Sequence, residues 1–433
     1  MKRLGLAALS ASAIAYMWGS SKTLLFGLAP SALLAIFAVL LVVMCVLSLE
    51  KLRLTQSYWS ILLVSTALIL WALVVYTING LGVPRRVFQM ILALAISFAV
   101  YFLTDRMSKI WWLISVLIFG AAVSALIGVG QFFRGGVFID IWQRVQNPTE
   151  GAVRLVLGKQ VAGLAAHTVM FSYHLAATLP LAIAVFLRAN NRGFVFRRIT
   201  LLAAIVLIAA ALVFTGIRAA VGGAVIGGVF ALILVKYKSR GWWRHIVFAS
   251  LVGLLLYVMI GRIYNPTRFL TMTDVSARVR LPMQATAIVY ALHNPLGTGV
   301  YQLSGSEVDV DLDDPTLTEL VFMHTPHNQF LNVLVYYGFP GFALLVLFYS
   351  ILLKTLFITW RIACHSPTED SRYIVAGLAG AMLGYLVNSM FHNAGPFVGD
   401  VFHWYFIGLV FSLHTILTHE VKRKILGQVM PNV

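Results

Sequence analysis

A succession of apolar stretches, each about as long as a bilayer is thick, constrains this chain more than any motif in it. They run at about 4–20, 23–49, 57–77, 87–103, 110–131, 161–187, 199–216, 219–235, 245–261, 330–353, 373–390 and 397–416. A crossing helix needs roughly 20 apolar residues, with a lower limit near 17, and satisfies its own backbone N–H and C=O groups where water cannot. Composition agrees: 60% of the 433 residues are hydrophobic and 11% charged, with a mean hydropathy of +0.89, too apolar for an ordinary soluble protein of this length. The expected fold class is all-α, a polytopic membrane protein with about 12 transmembrane helices and one integral domain over 1–433.

The basic residues orient it. Twelve crossings put both termini on one side. Starting in the cytoplasm, the inner loops collect Lys2, Arg3, Lys51, Arg53, Arg106, Lys109, the 188–198 and 236–244 clusters, Lys354, Arg361, Arg372 and Lys422 to Lys424. That is 20 of the 32 Lys and Arg, although the outer face holds the two longest loops, 132–160 and 262–329. Such a bias is what fixes topology in a membrane. The net charge of +17 therefore points to no nucleic acid. The basic start of the first segment would also suit a cleavable signal peptide, but cleavage would break the parity, so it is read as a retained helix. Cys45 and Cys364 sit in or beside separate apolar segments without metal-ligand spacing and are read as core residues.

Residues 199–235 are too long for one crossing and read as a hairpin whose outward tip is TGIRAA. Arg218 stands at that tip, where a guanidinium needs a partner, an aqueous cavity or an anion. Gly223 and Gly227, like Gly380 and Gly384, are four apart and allow close helix contact. Trp111, Trp112, Trp242, Trp243, Tyr336 and Tyr337, at segment ends, are expected to be interfacial anchors.

The large outer loop, 262–329, carries the remaining polar chemistry. Arg278 and Arg280 precede an apolar run, which suggests an amphipathic helix at the membrane surface, followed by a turn at Pro295, Gly297 and Gly299. The acidic stretch 307–319, from Glu307 to Glu319, reads as a solvated face or a partner for arginines. Its carboxylates would suit a divalent cation, but it lacks EF-hand spacing. HTPHNQFLNVLVYYGFPG follows, residues 324–341. A histidine, with its ordinary pKa near 6.5, suits a general base, whereas Asn328 suits a helix cap. A helix from near Gln329 would hold His327 at its outer end, with Gly338 and Gly341 permitting close packing. His167, His174, His392 and His403 are read as polar packing.

His327-Asn328, nine residues, then Gly338-Phe339-Pro340-Gly341 resembles the pattern of the O-antigen ligase and polymerase superfamily, as do the outward TGIR turn and SARVRLPMQATAIVYALHNPLGTG. The resemblance implies a GT-C-like glycosyltransferase of the bacterial inner membrane with a periplasmic active site. In such an enzyme a glycan on undecaprenyl pyrophosphate passes to lipid A-core lipopolysaccharide in a ligase, or to another repeat in an O-antigen or exopolysaccharide polymerase. It implies catalytic roles for His327 as base and for Arg218 and Arg278 as phosphate ligands. Arg280, Asn328 and His324 are placed with the substrate. Neither a nucleotide nor a metal cofactor is expected. The ligase is the leading expectation, the polymerase the alternative, and a secondary transporter of an anionic solute, bound by the cavity arginines, the third. Sugar identity, linkage and oligomeric state have no signature in the chain.

Overall fold

The computed structural model describes residues 2–18, 30–47, 54–82, 85–146, 160–191, 195–236, 275–300, 326–365, 369–392, 395–397 and 400–429, and also 148, 153, 156 and 157. Among them, thirteen helices account for the regular structure and no strand occurs. In chain order they are α1 (Lys2–Trp18), α2 (Pro30–Leu47), α3 (Gln56–Ile78), α4 (Arg85–Leu103), α5 (Met107–Phe132), α6 (Gly136–Gln146), α7 (Thr168–Asn191), α8 (Val195–Phe214), α9 (Arg218–Lys236), α10 (Val275–His293), α11 (Gln329–His365), α12 (Glu369–Ser389) and α13 (His403–Val429). Seven described helices, α3, α4, α5, α7, α8, α9 and α11, are long and apolar enough to cross a membrane. α1, α2, α12 and α13 coincide with four further expected crossings but are shorter or more polar, and 245–261 lies outside the described residues.

Apolar side chains that water would reject face outward from the bundle: Leu63 and Leu70 on α3, Phe119 on α5 and Val206 on α8 are each more than half exposed, as befits surfaces meeting lipid. The opposite faces build one core running from Leu9 to Leu417. Contacts tie the helix ends together at both ends of the bundle. Arg188, at the end of α7, makes a bidentate pair with Asp370 at the start of α12, at 2.8 and 2.7 Å. At the other end, the backbone of Val161 bonds to Phe214 and His174 to the Met17 carbonyl. The charge count assigns this second end to the outside.

The two small-residue motifs face each other. A Cβ on Gly223 would come 2.5 Å from the Gly384 carbonyl oxygen, and one on Gly227 would collide with that of Gly380. Lipid gives helices no hydrophobic reason to associate, so the backbones of α9 and α12 meet only because nothing stands between them. Gly222, on the same helix, has nothing within 4 Å of its would-be Cβ. Gly227→Leu is therefore expected to lower stability by about 1–3 kcal/mol or more through overpacking, whereas Gly222→Ala is expected to be tolerated. Melting of the detergent-solubilised proteins checks the pair, and equal melting of the two variants would contradict it.

Candidate active site

The sequence reads 330–353 as one crossing, and the structure corrects this. α11 is broken at Gly338, whose backbone (φ 64°, ψ −168°) lies in a region essentially restricted to glycine. The first part, Gln329–Tyr337, is a stub about 13 Å long at the 1.5 Å rise of a helix. The second part continues from Phe339 to His365.

Breaking a helix orphans backbone groups, and here each finds a partner. Pro340 has no N–H to give the Tyr336 carbonyl, which instead accepts from Gly299 N at 2.9 Å. The Val335 carbonyl accepts from Thr298 N at 3.2 Å, and Phe339 N donates to the Pro295 carbonyl at 2.9 Å. The indole of Trp71 donates to the Tyr337 carbonyl at 2.7 Å. The Pro-Leu-Gly-Thr-Gly turn after α10 is thus locked into the break of α11. The two motifs are the halves of one joint, and Gly338 permits this break as well as close packing. A Cβ on Gly297 (φ 88°) would lie 2.5 Å from Gly338 N.

The joint aligns what stands above it. α10 and the stub both run toward it, and Val335 packs against Ala287 and Tyr290. Counting back six residues along each sets Gln329, the first residue of α11, roughly level with residues 281–284, so Arg280 and the His327 loop lie toward the same end of the pair. The electrostatics agree: Arg280 and His327 both act on His392, in the turn after α12. Arg278 belongs to the backbone of α10, and Pro282 withholds the N–H that its carbonyl would accept. The Arg278 side chain lies outside the described residues, as do His324 and the acidic stretch 307–319.

Asn328 is a helix cap, as its residue type predicts. Its Oδ1 accepts from the backbone of Phe330 at 2.9 Å and of Leu331 at 3.4 Å. His327, before it, adopts φ 48°, a left-handed conformation uncommon outside glycine. Arg218 is the first residue of α9, after a three-residue turn, Thr215–Ile217, in which Thr215 Oγ1 accepts from Ile217 N. It is half-buried, at a helix start whose dipole also favours an anion.

α12 joins these elements. The backbone N of Asn388 would lie 3.4 Å from a Cβ on Gly223, five residues into the helix that Arg218 begins. Past Asn388, the chain reaches His392 and then Gly395, which sits against the Gln329 side chain at the foot of the His327 loop. Burial, then the charges of Arg280 and His327, push the His392 imidazole down to about 3, so it is neutral. Tyr385 donates to Asp400 Oδ2 at 2.5 Å and Phe402 N to its Oδ1 at 2.8 Å. Burial nonetheless pushes that carboxyl up to about 6.

Sequence reasoning set His392 and His403 aside and passed over Asn388 and Asp400. The available signal was a set of polar residues, Asn388, His392, Asp400 and His403, placed at the adjoining ends of two apolar segments and in the turn between them. The expected anchors Tyr336 and Tyr337 are buried in protein, 5% and 1% exposed. Tyr336 lies under the Arg86 guanidinium, 4.4 Å from its ring centre, because the turn and α3 close over the joint. Among the described residues no group of three or more His, Cys, Asp or Glu could hold a metal.

A family model described as O-antigen ligase matches residues 203–346, about a third of the chain, which includes Arg218, Arg278, Arg280, His327 and both halves of the joint. No curated protein matches the sequence.

Proposed function

We propose that this chain, a member of the O-antigen ligase superfamily through residues 203–346, is a ligase that moves a glycan from undecaprenyl pyrophosphate to lipid A-core on the periplasmic side of the inner membrane. One observation carries the reading: within the matched segment, a joint between two glycine motifs locks the turn after the arginine-bearing α10 into the break of the helix that follows His327.

The chemistry follows from the residue types. His327 accepts the proton of an acceptor hydroxyl as its oxygen bonds to the anomeric carbon, and the bond from that carbon to the phosphate oxygen breaks. The electron pair leaves with undecaprenyl pyrophosphate, and one displacement inverts the sugar. General base catalysis of this kind contributes roughly 10²–10⁴-fold. Arg218 and Arg278, with Arg280 beside them, offer rigid multidentate donors to the pyrophosphate, whose charge grows as it departs. No nucleotide or metal enters this division of labour.

Purified protein mixed with lipid-linked glycan and lipid A-core should yield a heavier lipopolysaccharide by mass. Elongation of the lipid-linked chain when repeats alone are supplied would identify a polymerase instead. Arg218→Ala and Arg278→Ala should each weaken donor use about tenfold or more, the loss expected for one charged hydrogen-bonded contact. Arg218→Lys should recover only part, since it keeps charge but loses the fork. Normal donor affinity and turnover in both alanine variants would remove the phosphate-binding assignment.

A further inference from the structure

Among the described residues, three buried polar side chains at the carboxy-terminal end of α12 and beyond it hold atoms without a hydrogen-bond partner: both amide atoms of Asn388, Nε2 of His392 and both ring nitrogens of His403. Asn388 is 0% exposed, His392 7% and His403 1%. Buried polar groups are nearly always paired, and an unpaired one destabilises the fold that keeps it. Three in one place call for a partner outside the chain.

They are connected. His403 stacks on Tyr385 with ring centres 3.8 Å apart, Tyr385 meets Tyr173 at 5.4 Å, and Tyr173 meets His392 at 5.7 Å. Asn388 follows Tyr385 by one turn of α12. The row therefore extends from Gly223, near Arg218, to His392, on which Arg280 and His327 act.

The chemistry of the row selects its ligand. The Tyr385 hydroxyl is already committed to Asp400, and a carboxyl group there offers nothing to an anion. His392 is held neutral chiefly by burial, with the Arg280 guanidinium acting in the same direction. An amide and neutral imidazoles both donate and accept, which is what a hydroxyl group requires, whereas phosphate is better served by the arginines. Resting on the transferase reading, we propose that Asn388 and His392, with His403, form a hydroxyl-binding wall for a sugar ring held beside His327. That ring belongs either to the donor glycan or to the acceptor. Their burial makes the wall selective, since a sugar lacking a hydroxyl would leave a buried group unpaired.

The test uses the full chain in detergent and two probes, a dephosphorylated core oligosaccharide and a repeat-unit oligosaccharide freed from its carrier. One of them should raise the melting temperature of the wild-type protein, and its identity assigns the wall to acceptor or donor. Asn388→Ala and His392→Ala should weaken that probe about tenfold, the usual effect of losing a hydrogen bond to a buried group, and His392→Gln should restore part of it. Melting of each variant without sugar separates a loss of binding from a loss of packing, and a tenfold weakening in a variant that melts like wild type supports the wall. No shift of the wild type with either probe, or equal shifts in the variants, would overturn the wall. Probe binding by a protein that transfers nothing would refute the transferase reading and leave the wall standing. Transfer with unchanged KM for both substrates in the variants would refute the wall alone.

Discussion

Gly338→Ala is expected to cost about 3 kcal/mol or more of stability and at least about 100-fold in transfer. Its Cβ would collide with the Pro295 carbonyl oxygen and come within 2.6 Å of Gly297 N, at a backbone angle that L side chains rarely adopt. The turn cannot retreat without giving up its bonds to the carbonyls of Val335 and Tyr336 and from Phe339 N. The activity loss follows from alignment, because α10 and the stub are held in register by that joint, and a misplacement of about 1 Å costs roughly 10²-fold. Pro340→Ala is the informative neighbour. It restores an N–H, but Gly299 already occupies the Tyr336 carbonyl, so its effect should stay below about tenfold, less than the loss of one such hydrogen bond. Melting and transfer rates of the two variants check this, and wild-type behaviour of Gly338→Ala would show that the joint does not set the site.

His327→Asn is expected to lower transfer by about 10²–10⁴-fold while leaving the fold and donor binding intact. Asparagine is the right replacement because His327 sits at φ 48°. Among residues with a Cβ, asparagine enters this left-handed region most readily, so the substitution removes the imidazole without adding backbone strain. The Asn328 cap, which starts α11, stays in place. Turnover at the wild-type rate would end the assignment of His327 as base. A loss matched by a lower melting temperature would instead point to a structural role for the loop.

Both substitutions act on residues visible as a motif, yet the motif's meaning differed from its appearance. His327, Asn328 and the start of α11 near Gln329 could be read directly, since a capping residue ahead of an apolar run is a local signal. GFPG read as a packing surface because a glycine in a helical pattern gives no notice that the helix breaks. The break depends on a turn some forty residues earlier in the chain. Tyr336 and Tyr337 misread for the same reason: an aromatic pair at a segment end looks interfacial until another element covers it.

What the sequence determined by itself is whatever depends on neighbours along the chain. The alternation of apolar stretches with basic loops gave the all-helical class and an outer and an inner side, because helix length and loop charge are counted locally. The TGIR hairpin, the cap and the paired glycine motifs belong here too. Only the tertiary structure decided that Gly223 and Gly227 face Gly384 and Gly380, that the two glycine turns interlock, and that Asn388, His392 and His403, each with an atom lacking a partner among the described residues, gather around Tyr385 and Tyr173. Each of these is a contact between segments distant in the chain, set by close backbone approach and hydrogen-bond completion, and neither leaves a periodicity to be read.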